Sequence, residues 1–563
     1  MLVEDCAPAR AVSGTADEPR DVQRNTSRRS LLWLLAVVVV FCGFATHLVF
    51  TSRPWCDEGW FASIVYNLIN RGVMGLTVLD PHGFVFDTHV KGIDRYTYWI
   101  LPNYIFLQAA WCSLVGLNLH TFRIVSVAAG CLAICSWYVI VARLTHNRTV
   151  GLLAAALLAL DQHFIRGGSF ARMDMMCAAL NLAASAFYLH FRSRFHMAVL
   201  LSCSVLALAL LTHPNAFFGA ILLTLIIFSL DRERIRWQTV AIAAVPFLMA
   251  AGIWAVYVLR APDIFVAQMH SQSKVPHRFE FQWNLFRQFG YELKTRFAAS
   301  YRILSDSPSV RLRGFIVFLY FGAVVALIAV RPLRVRPGSK LIFLLALLSF
   351  TKLSCLQRSW YYLVFILPAF TAALAICTVW LWKRRSLVCR MAAFGVALFV
   401  VLKASIFGYR IMQDDFRGSY AGAIQFLRSN VHSGEMVMGS GELAFDLGFD
   451  GRVVDDCRLG FYTGKRPKYI VLDLQYYAMW MPYLAVHEPT VFRHVGRRLD
   501  EEYETVYDQK LQLNGTRGVD PPYKIYRLKE SQIKNAGPEG QMLLSTNWPT
   551  SGKKAGPSSA GAP

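Results

Sequence analysis

The chain has 563 residues, of which 55% are hydrophobic and only 17% charged, and its mean hydropathy is +0.37. A soluble domain must show more charge to water than this, and here the apolar residues fall in blocks of about 20, the length that crosses a bilayer as a helix. The formal charge of +22 does not mark a nucleic-acid binder, because the basic residues stand in short clusters between apolar blocks, as topology signals do.

Residues 1–30 are polar and mixed in charge, with Glu4, Asp5, Asp17 and Glu18 set against Arg10, Arg20, Arg24, Arg28 and Arg29. That is the composition of a disordered cytoplasmic tail. The first apolar block, 31–51, is longer than the core of a signal peptide and has no small-x-small cleavage site after it, so it reads as an uncleaved anchor. Further blocks run at 98–118, 123–142, 150–166, 173–191, 196–212, 214–230, 238–259, 314–330, 340–356, 359–382 and 387–408, which makes twelve candidates.

Basic clusters decide which of them cross. Arg28/Arg29, Arg143/Arg148, Arg192/Arg194, Arg232/Arg234/Arg236, Arg331/Arg334/Arg336 and Lys383/Arg384/Arg385 are assigned to the cytoplasmic side. Consecutive clusters are separated by two blocks, except the first pair, which encloses three. One of those three does not cross. The segment 98–118 carries Pro102, Asn103 and Gln108 and is flanked by Asp94 and Arg95, so it is read as an interfacial or re-entrant helix. Eleven spans remain across 31–408, in the inner (plasma) membrane of the cell, with the N-terminus inside and the C-terminal end outside.

Two long loops, 52–122 and 260–313, then face outward. The second holds Lys274, Arg278, Arg287, Lys294, Arg296, Arg302, Arg311 and Arg313 against Asp263, Glu280, Glu292 and Asp306, a basic excess that suits an anionic ligand. Beyond Phe407 the composition changes, and 409–530 reads as an extracytoplasmic α/β domain. Tyr420 to Asn430 has helical spacing, while Met436 to Met438, Val453 to Val454, Tyr469 to Leu474, Tyr503 to Tyr507 and Tyr523 to Leu528 have the pattern of strands. Residues 531–563, rich in Gly, Ser, Pro and Lys, read as a disordered tail. The expected fold class is an α-helical polytopic membrane protein of about eleven transmembrane helices with a C-terminal α/β soluble domain.

The chain's twelve cysteines form no C-x-x-C framework and several lie in apolar blocks, where they act as small buried apolar residues. Cys56 and Cys457 fall on the same side of the membrane, so a disulfide between them is open, with little weight.

Several short motifs could carry chemistry. Trp55-Cys56-Asp57-Glu58-Gly59-Trp60 opens an amphipathic helix, with Phe61, Ile64, Val65, Leu68 and Ile69 on one face and Arg71-Gly72 at its end. Its two carboxylates read either as a cap and helix-dipole charge, or as a general base or metal-binding pair facing an outer cavity. A divalent metal ion held with His82 or His89 belongs to the second reading, though nothing in the spacing demands it. Lys91 and Arg95, before Tyr98-Trp99, are either lipid-phosphate contacts or ordinary interfacial anchors. Arg172 and Asp174 stand at an outer membrane boundary, where charge is paired or functional. His213, beside Pro214, marks a turn. Arg358, with Gln357, Tyr361 and Tyr362, opens another span and is a phosphate ligand or an interfacial residue. Asp455-Asp456 reads as a strand-end turn.

The series Asp57-Glu58-Gly59-Trp60, then Lys91 before Tyr98-Trp99, then Phe122-Arg123, then Phe170-Ala171-Arg172-Met173-Asp174 resembles the GT-C glycosyltransferases. Within them it is similar to the protein O-mannosyltransferase branch that includes the lipid A aminoarabinose transferases. Motifs carry the resemblance over about 30–260 and topology over 260–408. It implies transfer of a sugar from a polyprenyl-phosphate donor, on the outer face of the membrane, with inversion. By the resemblance Asp57 is the catalytic acidic residue, a carboxylate, and Glu58 the adjacent acidic position, whose role varies. Lys91 is a donor-phosphate contact, although this chain reads Lys91-Gly92-Ile93 where the family commonly has Lys-Pro-Pro. Arg172 and Asp174 form a charged pair serving the donor phosphate or the organisation of the site.

The residue types suit that chemistry, since Asp57 can take the acceptor's proton and Lys91, Arg172 or Arg358 can stabilise the leaving phosphate, with His89 in support. No glycine-rich nucleotide motif is present. The expected partners are the lipid-linked donor, membrane lipids, and a glycan, lipid or protein acceptor, with no nucleic acid. The alternatives are a transporter or flippase of lipid-linked glycans, which would more often show internal repeats and charges deep within spans, and a non-catalytic envelope assembly protein working through 409–530.

Overall fold

A computed structural model describes residues 20–81, 91–274, 284–356, 359–473, 476–508 and 523–535. Of the tails read as disordered, 1–30 and 531–563, residues 1–19 and 536–563 lie outside the described residues, as do His82, His89, Gln357 and Arg358, whereas 20–30 and 531–535 are helical.

Every apolar block is helical. The first, α1 (Arg20–Thr51), is followed by α2 (Cys56–Arg71), whose last turn closes on Gly72 in the left-handed conformation, φ 68°. Next come α3 (Pro102–Val115), α4 (Leu119–Thr145), α5 (Arg148–Ala159), α6 (Gln162–Ser169), α7 (Met173–Phe191), α8 (Phe195–Leu210), α9 (Phe217–Asp231) and α10 (Trp237–Val258). The segment 260–313 carries α11 (Pro262–Lys274), α12 (Leu285–Glu292) and α13 (Pro308–Gly314). The remaining helices of the membrane unit are α14 (Ile316–Ala329), the short α15 (Arg331–Arg334), α16 (Ser339–Ser354), α17 (Leu367–Trp382) and α18 (Leu387–Ile411). Asn118 and Asn147 cap α4 and α5 by accepting backbone N–H bonds, at 3.0 Å from Thr121 and from Thr149.

Among the described residues six helices are by themselves long and apolar enough to cross a bilayer: Arg28–Thr51, Leu119–Thr145, Pro214–Arg234, Trp237–Val258, Pro308–Ala329 and the long helix from Leu387. The block 150–166 is the pair α5 and α6, bent by 64° at Leu160-Asp161. The polar residue at the break is compensated. Asp161 caps α6 and accepts bonds from Lys403 (3.2 Å), Tyr320 (3.0 Å) and Tyr301 (3.3 Å), all buried. The chain is thus a multi-pass membrane protein. The segment set apart as non-spanning contains α3, which at about 1.5 Å per residue reaches roughly 21 Å, short of a hydrocarbon core of about 30 Å. Its first turn docks on the end of α8 through Asn103, which donates to Leu208 O and Thr212 Oγ1.

α4 and α7 pack against each other at the centre. Around them α1 lies on α4 and α5, α17 on α5, α8 and α9 on α7, and α14 and α16 on α17. The C-terminal unit follows as α19 (Ala421–Asn430), β1 (Val437–Met438), α20 (Ala444–Leu447), β2 (Val453–Val454), β3 (Tyr469–Leu472), α21 (Met481–His487), α22 (Pro489–Glu501), β4 (Tyr503–Asp508), β5 (Lys524–Leu528) and α23 (Glu530–Asn535). The sheet order is β2-β1-β3-β5-β4, with β1 parallel to both β2 and β3, and β5 antiparallel to β3 and β4. All the expected strands form, the third ending at Leu472. The helices α21 and α22 were not among the expected elements.

The loop after α1 joins this sheet. Leu79 makes a parallel bridge with Asp455 just past β2, where Asp80 N donates to Asp455 O (3.0 Å) and Asp455 N to Val78 O (2.7 Å). The α2 helix packs on the turn after β1 so closely that a Cβ on Gly59 would stand 2.2 Å from the carbonyl of Gly441. Cys56 and Cys457 are both buried and are not joined to each other, so the disulfide left open by the sequence does not form.

Candidate active site

Consecutive residues on a helix point about 100° apart, and that separates the fates of Asp57 and Glu58. The helix begins at Cys56 with Trp55 as its cap residue, so Asp57 lies inside the first turn rather than capping it. Glu58 turns inward. Both its side chain and that of Arg123 are 0% exposed. Arg123 Nε donates to Glu58 Oε1 (2.7 Å) and Nη2 to Oε2 (2.6 Å). The remaining Arg123 donors go to the carbonyls of Val49, Ser52 and Arg53. Glu58 further accepts Ala171 N (2.8 Å) and Trp55 N (2.9 Å). So enclosed, Glu58 ties the end of α1, the start of α2, the start of α4 and the turn before α7 into one block.

Asp57 turns the other way. Its side chain is 21% exposed, and it pairs with Arg172 Nη1. Arg172 Nε donates to Asp174 Oδ2 (3.0 Å), so the guanidinium lies between two carboxylates. It also lies 3.7 Å from the centre of the Tyr361 ring, which packs on its face. The other Asp174 oxygen is 3.9 Å from His213 Nε2, beyond hydrogen-bond reach. Trp55, Phe170 and Trp360 form an aromatic cluster beside them, and Arg166 stacks on Trp360 at 4.6 Å.

The structure thus brings together Asp57, Arg172 and Asp174, and adds Tyr361 and Arg123. Lys91 sits elsewhere, its ammonium 3.5 Å from Asp263 and 64% exposed. Arg358 and His89 cannot be placed, lying outside the described residues. A second clamp sequence reading missed holds the segment leading to Tyr361. Arg296, paired with Glu292 and fully buried, donates to the carbonyls of Leu353, Leu356 and Ser359, and Gln288 to that of Ser354. The signal was present as charge in an apolar context, but Arg296 was read only as part of a basic loop.

Among the described residues no group of three or more His, Cys, Asp or Glu side chains is arranged to hold a metal ion. Asp57 and Asp174 do not fit one, because Arg172 already stands between them as their shared cation.

No protein-family model matches the chain, and no curated protein matches it. Solved structures do. ArnT from Cupriavidus metallidurans bound to undecaprenyl phosphate shares 15% identity over 88% of this chain and 97% of its own, with a TM-score of 0.51. The archaeal oligosaccharyltransferase AglB from Archaeoglobus fulgidus, in complex with an inhibitory peptide and a dolichol-phosphate, shares 13% over 82% of this chain and 72% of its own, also at 0.51. The apo form of the Archaeoglobus fulgidus oligosaccharyltransferase reaches 0.53 at 12% identity, over 85% of this chain and 80% of its own. At these identities the likeness is one of fold, and the fold is the GT-C architecture that the order of the motifs implied.

Proposed function

We propose that this protein is a membrane glycosyltransferase that moves a sugar from a polyprenyl-phosphate donor to a hydroxyl or phosphate of an acceptor, at the outer face of the membrane and with inversion. The observation that carries the reading is the partly exposed Asp57 carboxylate paired with Arg172 at the end of a membrane helix. It stands in a fold shared with proteins solved with undecaprenyl phosphate and with a dolichol-phosphate. The acceptor oxygen attacks the anomeric carbon from the face opposite the phosphate. The bond from that carbon to the phosphate oxygen breaks, and polyprenyl phosphate leaves. Where the acceptor is a hydroxyl, its proton passes to Asp57. Arg172, held by Asp174 and stacked on Tyr361, is the cation that meets the charge developing on the leaving phosphate. Lys91, exposed on the loop, and Arg358 are further donor-phosphate contacts in this reading. Glu58 acts through Arg123 as a positioning residue.

In this proposal eleven helices cross the bilayer, the basic clusters face the cytoplasm, and Asp57 and the C-terminal sheet share the outer side. Mass spectrometry of envelope lipids and glycans from cells with and without the gene tests it. A missing glycosylated species, with its unglycosylated acceptor accumulating, is expected. Unchanged glycan structures with donor retained on the inner face would instead support a flippase of lipid-linked glycans.

A further inference from the structure

In open α/β sheets a ligand site forms outside the carboxyl ends of the parallel strands, where the strand order switches direction. The C-terminal unit has such a point. Its order β2-β1-β3 sends the chain from β1 to one side and then back across to the other, so the switch lies between β1 and β3. A recess opens there. Gly439 and Ser440 leave β1, Asp455, Asp456 and Cys457 leave β2, and Asp473 leaves β3, with Tyr476 and Trp480 completing the wall.

The chemistry of the recess is one-sided. Three carboxyl groups line it, and buried Glu442 stands next in line. Burial pushes Asp455 up to about 7 and Asp456 up to about 6, and burial with the neighbouring Asp473 holds Glu442 well above the usual carboxylate range. A phosphate or carboxylate ligand would be repelled. The carboxylates are also not grouped to enclose a metal ion among the described residues. A separate observation points to a neutral ligand. The Tyr476 hydroxyl is buried and has no hydrogen-bond partner among the described residues, although it lies near enough to Asp456 and Cys457 to sense their charge. Burial holds this phenol well above its ordinary range, so it is a neutral donor without an acceptor. The enclosed part of the recess has room for about one or two water-sized groups, so what enters is a small polar arm of a larger molecule.

We propose that this recess binds a hydroxyl arm of a non-anionic sugar unit, the hydroxyl accepting from Tyr476 and donating its one proton to the carboxyl group of Asp473. Trp480 forms an apolar wall. The recess is also linked to α2. Asp455 accepts from Trp60 Nε1 at 2.9 Å, and Trp60 lies one helical turn beyond Asp57 on α2. A sugar seated here is therefore held against the element that carries the proposed base. Its assignment as the acceptor rests on the glycosyl-transfer reading, whereas the binding site does not.

The test measures binding of methyl glycosides to the full-length protein in detergent by ligand-observed NMR, using methyl mannoside and methyl glucoside against glucose 1-phosphate. The wild type and Asp57→Asn bind a neutral glycoside equally. Tyr476→Phe, which removes only a hydroxyl without a partner among the described residues, leaves the melting temperature unchanged or raised and weakens binding about threefold to tenfold. Asp473→Asn supplies a second variant with the same expected direction. Tighter binding of glucose 1-phosphate than of the neutral glycosides overturns the proposal. So does neutral-glycoside binding that Tyr476→Phe leaves untouched, or no binding at all, since the recess would then hold only water. Retained sugar transfer by Asp57→Asn would sink the proposed function and leave this binding result standing.

Discussion

Two neighbouring carboxylates on one helix turn have opposite surroundings, and each supports a different experiment. Glu58 and Arg123 are an enclosed ion pair, and removing one partner of such a pair strands the other charge. Arg123→Leu is expected to destabilise the fold by about 3–5 kcal/mol, read as a marked fall in melting temperature in detergent. Arg123→Leu/Glu58→Leu together should recover much of that loss, because no charge is left buried. Asp57→Asn should leave the melting temperature nearly unchanged, since its carboxylate is partly exposed. The acidic pair was legible in the sequence, but the division of labour within it was not. Glu58 is settled by Arg123, 65 residues on, and Asp57 contacts Arg172, 115 residues on. No local pattern records either partner. Tyr361 beneath Arg172 was noticed only as a residue opening a span, because its stacking depends on how α7 meets the turn before α17.

At the scale of elements, α2 is the joint between the membrane unit and the C-terminal sheet. The close approach at Gly59 allows no side chain, since the atoms that a Cβ would meet belong to the Gly441 backbone. Gly59→Ala is expected to loosen that joint at a cost of about 1–3 kcal/mol, seen as faster proteolysis between α18 and α19 while the membrane helices stay protected. The same joint carries a pH dependence. Buried Asp455, raised to about 7 by its desolvation, accepts from Trp60 and from the backbone of Gly441. It holds its proton more tightly folded than unfolded. From about pH 4, where the unfolded group titrates, up to about 7, the folded protein binds more protons, and stability falls as pH rises through that window. The thermal stability of the C-terminal unit should therefore fall between about pH 4 and 7, and Asp455→Asn should flatten the curve because its amide oxygen still accepts both bonds. Strand positions here were readable from short β-branched and aromatic runs. The amphipathic helix α22 also had a readable signal, with Val491, Val495 and Leu499 spaced by four, but charged residues between them obscured it. The strand-end turn at Asp455-Asp456 was foreseen as a turn, and its burial under the loop after α1 was not, since Leu79 meets it only in the folded chain.

For the whole molecule, apolar block lengths and basic clusters made the multi-pass helical architecture legible, because bilayer thickness and charge asymmetry act on sequence directly, while the GT-C resemblance came from the motifs around Asp57, Lys91, Arg123 and Arg172. The 64° bend between α5 and α6 was hidden inside one apolar block. Asp161, its capping residue, stands out only once Lys403 is seen beside it. The central claim, that Asp57 serves glycosyl transfer from a lipid-linked donor, is tested most directly with the full-length protein in lipid nanodiscs, supplied with a polyprenyl-phosphate sugar and the acceptor found by mass spectrometry. The wild type should release polyprenyl phosphate one-for-one with sugar appearing on the acceptor. Asp57→Asn, equally stable, should be slower by about 10²–10⁴-fold. Transfer at the wild-type rate by Asp57→Asn, or donor crossing the membrane without release of polyprenyl phosphate, would contradict the account.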